Sequence, residues 1–249
     1  MTFGRYASSS LGGAANCGFG IPRKVSVVIP ALNEGQGIGK TISAIPREAI
    51  QMMGYDVQVL VVDGGSTDET VKVAMDAGAE VIEEPRLGYG RAYKTGFANA
   101  EGDILVTADA DATYPVEDIP QLLKTLEDGQ CDFITTNRYA FMEKGAMSMM
   151  HRLGNGVLSL SARMLFHMDV RDSQSGMWVF RKSLLDHMVL RSDSMAFSEE
   201  LKVEACHFAD CSWKEVPIAY KTRVGEVKLQ SWRHGSENLL FLFRKRIAR

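Results

Sequence analysis

Five short apolar runs, each followed by a longer segment of mixed polarity, limit what this chain can become. The runs are 25–29 (Val-Ser-Val-Val-Ile), 57–62 (Val-Gln-Val-Leu-Val-Val), 80–83, 103–108 (Asp-Ile-Leu-Val-Thr-Ala) and 132–136. Helices are expected between them, near 36–50, 67–77, 89–100 and 116–128. Such alternation implies βαβ units, an α/β fold with a mostly parallel central sheet and helices on both faces. Strands buried on both faces read as continuous apolar runs, as these do. Beyond residue 140 the alternation lapses. A Met- and Leu-rich helix is expected over 146–168, strands at 176–180 and 213–220, helices near 182–190 and 198–210, and a last helix over 229–247.

In open sheets of this kind, ligands bind beyond the carboxyl ends of the strands. The first run delivers Asn33 and Glu34 to that edge, the second Asp63, and the fourth Asp109 and Asp111. Acids gathered on one rim repel each other unless a cation or donor groups join them. Alternate aspartates just past a strand suit a hard divalent ion, Mg²⁺ or Mn²⁺, which takes oxygen ligands and keeps positions open for phosphate oxygens. A diphosphate leaving group gains negative charge that such an ion neutralises. Asp-x-Asp also arises on solvated loops, and Gly64-Gly65-Ser66-Thr67-Asp68 also reads as a tight turn whose Ser66 or Thr67 caps the next helix.

Net charge is −3, so no overall field favours nucleic acid. The charge is uneven: from Lys221 to the end, eight lysines and arginines face two glutamates, a composition suited to an anionic partner. The four cysteines (17, 131, 206, 211) form no C-x-x-C pair and are expected as reduced thiols. No signal-peptide pattern and no run of ~20 apolar residues is seen, so the expected location is cytoplasmic, peripheral on the cytoplasmic face of a membrane. Three regions are expected: a flexible tail over 1–22, one domain over 23–228 with a nucleotide-binding half to about 140 and an acceptor half after it, and an amphipathic basic helix over 229–249.

Taken together, Pro30-Ala-Leu-Asn-Glu34, Val61-Val-Asp63-Gly-Gly-Ser-Thr-Asp68 and Asp109-Ala-Asp111 resemble glycosyltransferase family 2, with its GT-A fold. Gly88-Tyr-Gly-Arg-Ala-Tyr-Lys-Thr-Gly96, Asn137-Arg138-Tyr139, Asp172-Ser-Gln-Ser-Gly176, Glu215-Val-Pro-Ile218 and Arg223-Val-Gly-Glu-Val-Lys-Leu229 narrow the resemblance to the polyprenyl (dolichyl) phosphate sugar transferases. The resemblance implies a nucleotide-sugar donor, a UDP- or GDP-hexose, and a polyprenyl phosphate acceptor, with inversion at the anomeric carbon. Pro30, Leu32 and Glu34 would line the nucleoside pocket, and Asp63 would bind the base. Asp109 and Asp111 would bridge metal and diphosphate, with Ala110 contributing backbone. Arg138, Arg223 and Lys228 would hold anionic groups, as guanidinium suits phosphate. Asp172 would position or activate the acceptor phosphate. The chain departs from the pattern at Leu32, where relatives often carry Tyr, at Gly64, and at Thr113-Tyr114 after the metal motif.

Two other readings stand beside this one: a family 2 transferase with a soluble or glycan acceptor, and a catalytically silent nucleotide-sugar-binding protein. Gly35-x-Gly37-x-Gly39 departs from the dinucleotide fingerprint and reads as a flexible loop. The stretch with Met147, Met149, Met150, Met164 and Met168 suits either a lipid groove or the core. The last helix, with Trp232 and Leu239 to Phe243 beside Arg244-Lys-Arg246, suits either a membrane surface or packing on the domain.

Overall fold

The computed structural model describes residues 23–129, 131–209, 211–225 and 231–247. The expected tail, Cys17 and Lys228 lie outside these residues, as does the side chain of Trp232. Strands β1 (Arg23–Ala31), β2 (Tyr55–Asp63), β3 (Glu80–Glu83) and β4 (Ile104–Thr107) pair in parallel in the order β3-β2-β1-β4. Beyond β4 the sheet continues through β6 (Trp178–Arg181), β5 (Phe133–Met142) and β7 (Trp213–Tyr220). Strand β6 runs antiparallel to both its neighbours, and β7 runs parallel to β5. The mostly parallel α/β sheet is therefore present, with one reversed strand that the apolar run Trp178-Val-Phe180 does not announce.

Alternate residues of β1 divide the core. Val25, Val27 and Ile29 face a cluster with Ile38 and Ile42 of α1 (Ile38–Ser43), Ile50 of α2 (Arg47–Met52), Ala74 of α3 (Thr70–Asp76) and Leu122 of α5 (Ile119–Asp128). Val28 faces the opposite cluster, with Tyr93 and Phe97 of α4 (Tyr89–Asn99), Trp178, and Phe197 and Leu201 of α7 (Phe197–Val203). A third cluster joins Ala162 and Phe166 of α6 (Met149–Phe166), Val203, and Leu242 of α8 (Ser231–Ile247). The last helix thus packs on the domain through Leu242, while Leu240, Phe243 and Ile247 remain exposed.

Three expected helices differ in detail. The segment 36–50 is two short helices, because Pro46 at the start of α2 has no backbone N–H to continue α1. The segment near 182–190 is a 3₁₀ turn, Lys182–His187. The helix expected over 198–210 is α7 followed by a wider π turn, Glu204–Phe208.

Close approach of α4 to the sheet rests on one glycine. A Cβ at Gly96 would lie 2.3 Å from Val28 Cγ1 and 3.1 Å from Val62 Cγ2. Alanine normally favours a helix over glycine by about 1 kcal/mol, but overpacking here opposes it. Gly96→Ala is expected to destabilise the protein by about 1–3 kcal/mol. Urea unfolding midpoints compare the two, and an unchanged or higher midpoint would show that α4 does not need this glycine.

Candidate functional site

The register of β1 on β2 places Ala31 level with Asp63, and β4 ends beside them at Thr107. Glu34, Asp63, Asp109 and Asp111 therefore leave the sheet at one edge. Asp63 is buried and satisfied locally: Oδ2 accepts from Gly65 N at 3.0 Å and Ser66 N at 2.9 Å, and Oδ1 from Ser66 Oγ at 2.5 Å. The Gly-Gly-Ser-Thr turn thus does close on Asp63. Asn33 takes a left-handed backbone (φ 52°), and its Oδ1 accepts from Thr67 N at 2.7 Å, which ties the loop after β1 to the loop after β2. Thr70 Oγ1 accepts from Glu34 N at 2.7 Å, adding a second tie.

Asp109 Oδ1 accepts from Tyr89 OH at 3.4 Å. Asp111 Oδ1 accepts from Thr113 Oγ1 at 2.6 Å and Thr113 N at 3.1 Å. Ala112 follows with a left-handed backbone (φ 61°), a conformation a β-carbon disfavours. The loop after β1 lies directly on the motif: a Cβ at Gly37 would meet Ala110 O at 2.7 Å. Burial, with the charge of Asp111 second, pushes the Asp109 carboxyl up to about 7. A pair of carboxylates one residue apart, with ionisation of one suppressed by its surroundings, fits a hard divalent cation. Among the described residues no third acid, His or Cys completes a metal cluster, so the remaining positions would fall to phosphate and water oxygens.

Arg223, in the segment after β7, reaches this edge. Its Nη1 lies 2.9 Å from Asp111 Oδ2, and its Nη2 pairs with Glu34. Val224 N donates to Asp111 O at 3.0 Å, and Lys221 N to Thr113 O at 2.9 Å, so residues 221–224 lie along the motif as a strap. Pro30 is half-buried, Leu32 is 40% exposed beside the cleft, and Ala110 is buried. These residues, with Glu34, Asp63, Asp109, Asp111 and Arg223, come together. Lys228 lies outside the described residues.

Arg138 and Asp172 form a second centre, with each other. Arg138 donates from N (3.0 Å) and Nε (2.7 Å) to Asp172 Oδ2, and from Nη2 (2.8 Å) to Oδ1. Burial alone would raise the Asp172 carboxyl, but Arg138 overrides it and holds it below the usual carboxylate range. Asp172 is fully buried, so this geometry suits orienting Arg138 rather than taking a proton from a substrate. Glu215 Oε1 supports the pair by accepting from the N–H groups of Arg171 (2.8 Å) and Asp172 (2.9 Å). The two centres meet at Gly176, where a Cβ would stand 2.7 Å from Tyr89 OH and 3.5 Å from Asp109 Oδ1.

Sequence reasoning passed over Tyr89, Thr113 and two residues of α7. Glu199 and Lys202 are buried beneath the 172–176 turn, and Gln174 Nε2 donates to Glu199 Oε1 at 2.5 Å. No sequence signal marks the two in α7: the segment reads as an ordinary amphipathic helix, whereas the structure buries every one of its residues, including the charged ones.

The family model described as "Glycosyl transferase family 2" matches residues 26–189. The low-salt glycan biosynthesis hexosyltransferase Agl6 of Haloferax volcanii is 37% identical over 84% of this chain. The match spans about half of that relative's length, 52%. The dolichyl-phosphate hexose transferase of Haloferax volcanii is 33% identical over 85% of this chain and 89% of its own. Among solved structures, glucosyl-3-phosphoglycerate synthase from Mycobacterium tuberculosis in complex with phosphoglyceric acid superposes with a TM-score of 0.71 at 22% identity, covering 91% of this chain and 80% of that one. A complex of that synthase with Mn²⁺, UDP and glucosyl-3-phosphoglycerate gives 0.67 at 22% identity, with the same coverage. The likeness of fold agrees with the GT-A-like expectation.

Burial raises the Glu199 carboxyl to about 8, well above the ordinary 4.5. Its contribution to stability is fully present below the unfolded value and is lost as pH rises through the folded one. Glu199→Gln mimics the neutral acid, so the variant should match the parent in melting temperature at pH 4, below the unfolded value, and exceed it increasingly up to pH 9. Equal melting temperatures at both pH values would show that Glu199 does not titrate in this way.

Proposed function

The chain belongs to glycosyl transferase family 2, and on that premise we propose that it moves a hexose from a UDP- or GDP-sugar, with Mg²⁺ or Mn²⁺, to the phosphate of a polyprenyl (dolichyl) phosphate. The observation that carries the donor half is the convergence of Asp63, Asp109, Asp111 and Arg223 at one sheet edge. Asp63 Oδ1, which takes one hydrogen bond from Ser66 Oγ, would receive the imide N–H of a base lined by Pro30, Leu32 and Glu34. Asp109 and Asp111 would hold the cation, which would supply charge neutralisation on the leaving diphosphate. Arg223, already on Asp111 and Glu34, is placed to move onto phosphate, and Lys228 follows it in the chain. Asp172 keeps Arg138 oriented, and Nη1 of Arg138, not engaged by Asp172, takes the acceptor phosphate. A phosphate oxygen is anionic near neutral pH and attacks without a strong base, which agrees with a buried, ionised Asp172.

Two observations support the lipid acceptor. One relative that matches over most of both chains is a dolichyl-phosphate hexose transferase. Helix α6 also exposes Met149, Leu153, Val157, Leu160 and Met164 along one face, and its sequence carries His and Arg but no acid. An apolar face with basic residues suits a lipid surface, although no described helix is long and apolar enough to cross a membrane. A soluble phosphorylated acceptor is the second reading, and the complexes of glucosyl-3-phosphoglycerate synthase favour it. Both acceptors present a phosphate, so the Arg138–Asp172 centre serves either.

The test incubates the protein with Mn²⁺ or Mg²⁺, radiolabelled UDP- and GDP-sugars, and either a short polyprenyl phosphate or 3-phosphoglycerate. Label in the organic phase, abolished by EDTA and by Asp111→Ala (a loss of at least about 100-fold), is the expected result. Label only in the aqueous phosphorylated product would move the acceptor to the second reading. No label with any donor and acceptor, while a nucleoside diphosphate still binds, would favour a non-catalytic role.

A further inference from the structure

The turn 172–176 links the two centres, yet it is irregular backbone lying between β5, α6 and α7. Buried carbonyl groups in such a segment need donors. Lys202 supplies them from below. It is fully buried, and its Nζ donates to Ser173 O at 2.6 Å and Ser175 O at 2.6 Å, and reaches Asp172 O at 3.4 Å and Ser198 Oγ at 3.5 Å. An ammonium has three N–H donors and no acceptor, so three convergent carbonyls match the charged form. Nζ also stands 5.7 Å from the centroid of the Trp178 ring. The ionisable groups around it are Asp172, Arg138, Glu199 and Glu215; burial pushes the Lys202 amine down to about 7, and the charge of Asp172 opposes that fall. A buried cation is a costly way to fill a core, and a packed apolar side chain is often at least as stable there. Among the described residues, the hydrogen bonds of Lys202 Nζ go to the turn and to its neighbour Ser198.

We propose that Lys202 is a positioning residue of the acceptor side: its buried ammonium sets the 172–176 turn, and through Asp172 it aims Arg138 at the acceptor phosphate. The inference rests on the assignment of Arg138 to that phosphate. Without the ammonium, the carbonyl of Ser173 loses its donor, while Ser175 O keeps Trp178 Nε1 at 2.9 Å and Ser198 Oγ at 3.2 Å, so the turn relaxes at its Asp172–Ser173 end. Asp172 then shifts, and the three bonds to Arg138 loosen together. The nucleotide edge is fixed separately, by the Asp63 turn and the Arg223 strap, and keeps its geometry.

Lys202→Gln retains two N–H donors without the charge, and Lys202→Met removes both. Steady-state kinetics with a short polyprenyl phosphate and the preferred nucleotide sugar should show KM for the acceptor raised tenfold or more by Lys202→Gln, with KM for the donor changed less than twofold. In an Arg138→Lys background the same substitution should cost less than twofold, because both changes act through one contact. Equal rises in the two KM values, or a full multiplicative loss in the Arg138→Lys background, would overturn the proposal. Should neither variant fold, NMR of the wild-type protein decides. Slowly exchanging Lys202 ammonium protons, with scalar coupling to the carbonyl carbons of Ser173 and Ser175, are expected, and a freely exchanging amine would overturn the assignment. If the wild type glycosylates no phosphate acceptor, the acceptor reading fails by itself, and the ammonium signal still tests Lys202.

Discussion

Carboxylates crowded at one sheet edge are the constraint from which the rest of this structure follows. Parallel pairing of β1, β2 and β4 brings Glu34, Asp63, Asp109 and Asp111 out on the same side. Left alone, such a set repels itself, and at Asp109 burial first and the charge of Asp111 second push the carboxyl up. Each acid is managed by a different device. Asp63 is closed into its own turn, Asp111 is held by Thr113 and Arg223, and Glu34 shares Arg223 with it. Asp109 has a long contact to Tyr89 and, among the described residues, more distant help from the charges of Arg138 and Arg223, so compensation is weakest there. That residual demand for positive charge fits a divalent cation and the diphosphate it would carry.

The Arg138–Asp172 side is organised in the opposite way. There the charges are buried and answered one to one: Arg138 by Asp172, the Asp172 backbone by Glu215, and the turn carbonyls by Lys202. The last helix is tied into the same layer, since Lys245 pairs with Glu200 at 2.9 Å and Glu204 at 2.6 Å, and Asn238 donates to Gln174 at 3.1 Å. Buried pairs of this kind add little net stability, but removing one partner leaves the other stranded. The arrangement therefore reads as a scaffold for orientation. It also holds α6 and α8 beside the turn by their buried faces, through the Ser159–Ser173 and Asn238–Gln174 contacts, and leaves their other apolar residues exposed.

The first half of the sheet was largely legible because its signals are local. An apolar run followed at once by an acid identifies both the strand and what it carries, as at Val61-Val-Asp63 and Val106-Thr-Ala-Asp109. The region after residue 137 was legible as motifs but not as contacts. Arg138 and Asp172 are 34 residues apart, and nothing in either neighbourhood says that they bind each other. Reversal of β6 was hidden because a doubly buried strand has the same composition in either direction. Lys202 was hidden because Ser-Glu-Glu-Leu-Lys reads as a solvated helix face, whereas tertiary packing surrounds it. The tail helix offered two readings, and the structure shows it packed through Leu242 while leaving its other apolar residues exposed.

The central claim is that Asp109 and Asp111 need a divalent cation to receive a nucleoside diphosphate. Calorimetric titration of UDP and of GDP into the protein tests it directly, with Mn²⁺, with EDTA, and with Asp111→Asn. The account predicts that one of the two nucleotides binds at least about tenfold more tightly with Mn²⁺ than with EDTA, and that Asp111→Asn loses this gain. Affinity unchanged by EDTA, or a metal-dependent gain that survives Asp111→Asn, would contradict it.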